Sequence, residues 1–138
     1  HFTDRRQRQM CIRDRAYDLN TKTYITGDII FIGRAAAFSD ANIPMWINVI
    51  NNKLDLSWDY LIPGHGSIIK NKLELNDTKN WLYFLDNAVK RAVSEGDMIS
   101  EIFQYPIPKE IHHLKMKSIT LRQGIKKQLN LYRKKYIE

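Results

Sequence analysis

Four consecutive apolar residues, Ile29-Ile30-Phe31-Ile32, constrain this chain more than any other stretch. A short apolar run without polar alternation is what a strand covered on both faces looks like. Such a strand needs layers against it, and its surroundings supply candidates. Ala16 to Leu19 and Thr23 to Thr26 read as short strands about the polar turn Asn20-Thr21-Lys22, and Ala35 to Asp40 reads as a loop. Pro44 favours a first helical turn, after which Ile43, Trp46, Ile47, Ile50 and Leu54 keep helical spacing and form one apolar stripe. Asp59 to Ile62 returns as a strand, with Pro63-Gly64-His65-Gly66 at its C-terminal end.

The second half changes character. Asn76 or Asp77 is placed to cap a helix in which Trp81, Leu82, Leu85, Ala88, Val89 and Ala92 line one face, ended by Glu95-Gly96. Asp97 is placed to cap a short helix through Phe103, and Pro106 and Pro108 break the chain into an extended segment. After Lys109 a helical region resumes, with Leu121, Ile125, Leu129, Tyr132 and Tyr136 recurring every three or four residues. The fold class expected is α/β, with a helical C-terminal region packed on a sheet. Trp46 and Trp81 fall on apolar stripes and are expected in the core.

Two residues stand where chemistry is easily built. Asp28 follows Gly27, and His65 lies between Gly64 and Gly66, each where a strand runs out. A strand end gives a side chain a rigid base, and the flanking glycines let the backbone turn and approach a ligand closely. Asp28 and His65 are therefore candidate metal ligands. Each also has a plainer reading, Asp28 as a turn residue and His65 as a loop histidine. Two ligands do not complete a zinc site, which takes four protein groups, or three plus water.

The ordered pair Tyr24-Ile25-Thr26-Gly27-Asp28-Ile29-Ile30-Phe31-Ile32-Gly33-Arg34 and Leu61-Ile62-Pro63-Gly64-His65-Gly66, with one amphipathic helix between, resembles the C-terminal half of the metallo-β-lactamase fold. The resemblance runs from about Tyr17 to Ile69. It implies the C-terminal half of an αββα sandwich over residues 16–75, with 76–138 packing on it. It also implies a di-zinc centre in which Asp28 bridges two Zn²⁺ ions and His65 binds the second, and hydrolysis of a small-molecule substrate by metal-activated water. Arg34 and Asp40 fall near where the family shapes its substrate pocket, although cap and surface ion-pair roles suit both. The ending Leu129 to Glu138 and Gly33-Arg34 are similar to the branch linked to quinoprotein relay systems and sulfur oxidation, which implies a periplasmic zinc hydrolase.

The family's His-x-His-x-Asp-His cluster and its further single histidine are not in this sequence. The four histidines are His1, His65, His112 and His113. The N-terminal residues Arg5-Arg6-Gln7-Arg8-Gln9-Met10-Cys11-Ile12-Arg13-Asp14-Arg15 resemble a translated transposon adapter of the kind used in sequencing libraries. On that reading residues 1–15 are a disordered scar, excluded from fold reasoning, and the chain is a fragment whose remaining ligands were lost upstream. A natural basic arm is the alternative.

Setting 1–15 aside lowers the formal net charge from +7 to +4, with 17 basic and 13 acidic residues left. That is ordinary for a folded domain and no longer argues for nucleic acid. Cys11 is the sole cysteine, so the remainder holds neither a disulfide nor a thiolate metal site. No stretch reaches the length of a transmembrane helix. The sequence also shows no Gly-x-Ser-x-Gly elbow and no phosphate-binding glycine loop.

His112-His113 forms a tempting pair. Neighbours on a helix point about 100° apart and converge poorly on one ion, so a surface role is favoured. Lys126, Lys127, Arg133, Lys134 and Lys135 read as the solvated face of an amphipathic helix without interleaved stacking aromatics. Three functions follow in order of preference. The first is a fragment of a metal-dependent hydrolase, inactive alone; the second, a nucleic-acid-processing protein of the same fold; the third, a non-catalytic relic.

Overall fold

The computed structural model describes residues 16–54 and 57–137, and the adapter-like segment lies outside them. Strands β1 (Ala16–Asp18), β2 (Thr23–Phe31) and β3 (Tyr60–His65) form one sheet in that order. β1 runs antiparallel to β2, with Ala16 opposite Ile25 and Asp18 opposite Thr23, whereas β3 runs parallel to β2. Parallel neighbours need a crossover, and helix α1 (Ile43–Lys53) lies within it. The Asn42 side chain caps α1 by accepting from the Met45 N–H at 3.1 Å, and Pro44 sits in the first turn, as its fixed φ favours.

The strands expected at 23–26 and 29–32 are one strand, Thr23–Phe31. Gly27 takes φ +58, so the chain bends there without leaving the sheet. Only one face of this part of the sheet is covered. Tyr24 and Leu61 are buried, while Ile25 and Tyr60 beside them stay 44% and 42% exposed, which is the alternation that a pleated strand imposes.

Three further helices complete the body: α2 (Asn76–Glu95), α3 (Ile99–Ile102) and α4 (Lys117–Tyr136). The described residues are thus mixed α/β, a small three-stranded sheet with four helices. One apolar cluster runs from Tyr24 on β2 through Trp46 and Trp81 to Tyr132 on α4, so residues 16–75 and 76–138 share it. Gly96 ends α2 in the left-handed conformation (φ +72), its N–H reaching the Ala92 carbonyl.

Helix α4 is held at both ends of its buried face. Near its middle, a Cβ on Gly124 would come within 2.8 Å of the Phe38 ring, so the helix approaches the 35–40 loop as closely as a glycine permits. One turn on, the buried Gln128 amide donates to the carbonyls of Phe38 and Ala41 at 2.9 and 2.8 Å. Near its end, the Tyr132 hydroxyl donates to Asp86 Oδ1 on α2 at 2.7 Å, and Lys90 pairs with the other carboxylate oxygen at 2.9 Å. Burial pushes the Tyr132 hydroxyl pKa up, so it stays a donor to that carboxylate.

Three helix starts differ from expectation, and the first is α2, which neither Asn76 nor Asp77 caps, its N-cap being Leu75 with no side-chain cap bond. Asp97 does not cap α3, whose N-cap is Met98, because the Asp97 carboxylate accepts the Tyr105 hydroxyl instead. The region after Lys109 makes only a 3₁₀ turn (Lys109–Ile111) before α4 begins at Lys117. Its intervening backbone is taken by the end of β2: Lys115 N–H donates to Gly33 O, and Lys115 O accepts from Ala35 N–H. His112 and His113 consequently lie in a turn rather than on a helix.

Candidate metal centre

Between Gly27 and Phe31 the sheet loses its regular register. Gly27 lies opposite Pro63 and Phe31 opposite His65, so four steps along β2 match two along β3. The surplus bows β2 outward, and bulges of this kind re-aim side chains at sheet ends. Asp28 is on the bowed stretch. Its neighbour across the gap is Gly64, where an added Cβ would meet Asp28 Oδ1 and Gly27 O at 2.5 Å each. Gly66, at φ +105, closes on Ile32, whose Cβ would stand 2.6 Å from a Cβ there. These two glycines let β3 and its exit loop come this near to the bow.

The other side of β2 has its own requirement. Among the described residues β1 pairs 23–25, and beyond Ile25 no described strand lies along the edge of β2 away from β3. Helix side chains take that place. Trp46 on α1 donates its indole N–H to Ile29 O at 2.9 Å, and the buried Thr78 hydroxyl on α2 accepts from Phe31 N–H at 2.9 Å and donates to Phe31 O at 2.8 Å. Asp77 Oδ2 accepts from Gly33 N–H at 2.9 Å. Ile32 between them turns the opposite way and donates to His65 O at 2.8 Å, consistent with the alternation of strand hydrogen bonding. Replacing Thr78 by valine keeps the shape and removes both bonds. About 2 kcal/mol of stability should be lost in urea unfolding, because two backbone groups are left unpaired, and Thr78→Ser should recover most of it.

This frame brings the two sequence-predicted ligands together. His65 Nε2 stands 3.5 Å from Asp28 Oδ1, and both side chains reach solvent, 43% and 74% exposed. The His65 ring lies nearly parallel to the Phe31 ring, at 18° and 4.5 Å between centroids, which fixes its plane. Arg34 stands with its guanidinium carbon 5.6 Å from the centre of the same Phe31 ring. Its Nε is buried and, among the described residues, has no hydrogen-bond partner. Asp40 lies elsewhere, ion-paired with Lys127 of α4.

The histidine pair divides. His112 Nε2 is 2.7 Å from Ile107 O, and His113 Nε2 is 2.7 Å from Asp77 Oδ1, so the two rings serve different partners. Asp77, read from sequence as a helix cap, sits in the first turn of α2, where the helix dipole favours a carboxylate, and links Gly33 to His113. Sequence reasoning missed Thr78 and Asp77 as supports of the site and placed Trp46 only as core. Their role depends on contacts between β2 and helices distant in sequence, which no local pattern announces.

The separation of Asp28 and His65 fits two donors of one ion. Donors about 2.1 Å from a tetrahedral zinc lie about 3.4 Å from each other, near the observed 3.5 Å. Among the described residues, no group of three or more His, Cys, Asp or Glu side chains converges to hold a metal. The pair thus fits as part of a centre and does not make one. No protein-family model matches the chain, and no curated protein matches it. Among the described residues, no helix is long and apolar enough to cross a membrane.

Proposed function

We propose that Asp28 and His65 are two ligands of a zinc-dependent hydrolytic centre of the metallo-β-lactamase type, whose remaining ligands come from outside the described residues. The observation that carries this reading is the 3.5 Å convergence of a carboxylate and an imidazole across a register break, at a place where neither side chain contributes to the core. A structural pair would gain little there, since an ion pair so exposed contributes at most about 1 kcal/mol. The glycines and helix side chains that hold the bow in place are extensive support for so small a return.

In such a centre Asp28 contributes negative charge and His65 a neutral nitrogen. Phe31 keeps the imidazole plane fixed, and Arg34 stands beside that ring. Zinc, when bound, supplies a water of lowered pKa and polarises a carbonyl or phosphoryl oxygen. The substrate class is a small molecule with a hydrolysable bond, and a basic C-terminal helix gripping nucleic acid is the second-ranked reading.

Metal analysis tests the proposal directly. The 138-residue chain alone is expected to bind well under one zinc per chain and to show no esterase or lactamase turnover. Tight stoichiometric zinc with turnover would refute the divided centre. In a longer polypeptide carrying the missing ligands, Asp28→Ala and His65→Ala should each lower zinc content and abolish hydrolysis. Unchanged zinc content in both variants would instead mark the two residues as relics.

A further inference from the structure

The chain's positive charge stands in two places, the N-terminal residues 1–15 at +3 and, more strongly, its last helical segment. Of 22 Lys and Arg and 15 Asp and Glu, the segment 111–137 holds eight of the former and none of the latter. That segment therefore carries +8, and the rest of the chain, 14 basic against 15 acidic, is left at −1. An ordinary solvated helix mixes signs, because opposite charges four residues apart stabilise it and like charges repel. Helix α4 forgoes that benefit over its full length of about 30 Å.

Packing determines which of these cations are available. Leu121, Gly124, Ile125, Gln128, Leu129 and Tyr132 are buried against the body, so α4 lies flat on it with one face outward. Lys117 is occupied by the carbonyls of His112 and Leu114, and Lys127 by Asp40. Arg122, Lys126, Arg133 and Lys134 are exposed, and no carboxylate among the described residues pairs with them. At 100° per residue, Arg122, Arg133 and Lys126 fall within 40° of one another along one flank of the exposed face, next to the buried edge at Leu129. Ile119 and Ile137 share one direction a further 20° round, and stay 50% and 66% exposed. The exposed face thus carries a line of cations along one flank, with Ile119 and Ile137 beside it and the polar Gln123 and Asn130 beyond them.

We propose that this outward face of α4 docks the protein on an anionic lipid bilayer surface, the helix lying parallel to the membrane plane. Cations alone would suit any polyanion. The aliphatic residues among them decide the partner, because Ile119 and Ile137 gain by entering the boundary between headgroups and acyl chains, whereas against nucleic-acid phosphates they would find no apolar partner. Tyr136, exposed 40° from Arg122 on the side away from the isoleucines, is a single ring, whereas stacking successive bases takes several interleaved with the cations. The body supplies what a free amphipathic peptide lacks, a helix already formed and already oriented, so little ordering entropy is spent on binding. This inference is independent of the metal centre.

Vesicle co-sedimentation of the full chain tests it. Binding is expected to phosphatidylcholine vesicles enriched in phosphatidylserine, and not to phosphatidylcholine alone. The surface triple variant Arg122→Gln/Lys126→Gln/Arg133→Gln should weaken binding about a hundredfold, each cation near an anionic surface contributing about fivefold. Arg5→Gln/Arg6→Gln/Arg8→Gln, which removes the same charge from the N-terminal segment, should leave most binding intact. Ile119→Ser/Ile137→Ser should abolish the part of binding that survives high salt. Equal loss in the two charge variants, or equal binding to neutral vesicles, overturns the proposal. Tighter binding to RNA than to anionic vesicles at the same salt overturns it in favour of a nucleic-acid face.

Discussion

Trp46→Ala is expected to destabilise the protein by about 5 kcal/mol, of which about 4 comes from an emptied core site and the rest from a backbone carbonyl left without its donor. Trp46 is 2% exposed on the inner face of α1, and its indole N–H is bonded to Ile29 O inside the bowed stretch of β2. Since a domain of this size holds roughly 5–15 kcal/mol of stability in all, the variant should be largely unfolded in modest urea. Trp46→Phe separates the two contributions: it keeps most of the ring volume and loses the N–H, and should cost about 2 kcal/mol. Circular dichroism in urea measures both. If the phenylalanine variant were as stable as the parent, the bow would not depend on the indole bond.

Gly66→Ala should be the most damaging change of a single methyl group, at about 4 kcal/mol. Two costs coincide at that position. A φ of +105 lies outside the small left-handed region open to alanine, which costs about 1–3 kcal/mol. The new Cβ would also stand 2.6 Å from the Ile32 Cβ and 2.7 Å from its carbonyl oxygen, and such overpacking costs a further 1–3 kcal/mol. Gly33→Ala is the internal comparison. Gly33 has φ +78 with no atom within 4 Å of an added Cβ, so only the backbone cost applies, about 1 kcal/mol. Gly66→Ala should also raise amide exchange at Ile32, whose N–H is bonded to His65 O, because β3 must move away to relieve the clash. Equal stability losses in the two alanine variants would show that the close approach at Gly66 does not matter.

Much of the fold is legible along the chain because its causes are local. The apolar stripe of α1, the Asn42-Ile43-Pro44 start and the Gly96 stop each act within a few residues. So does the β3 strand that carries His65. The failures have a common origin in partners distant in sequence. Asp97 met Tyr105 and lost its capping role, and the segment around Lys115 gave its backbone to Gly33 and Ala35 instead of to a helix. Gly27 looked like the end of one strand and the beginning of another. In the sheet it is a left-handed residue inside a single strand, opposite Pro63, a conformation that its lack of a Cβ allows.

Sequence alone placed His65 at the C-terminal end of a strand, as β3 has it, whereas Asp28, read from Gly27-Asp28 as a strand end, lies inside the single strand β2. It determined too that the last helix would be basic throughout. Tertiary structure decided that the two side chains meet, because the 3.5 Å approach of Asp28 and His65 goes with a register break, two glycines at closest approach and helix residues 46, 77 and 78 along an edge that no described strand pairs. It also decided which cations of α4 have no carboxylate partner among the described residues, by burying one face of the helix and giving Lys127 to Asp40. Periodicity and turn chemistry act over a few residues, and so are written in the order of the chain. Which groups meet depends on how far each strand is paired and on what fills the edge where pairing stops.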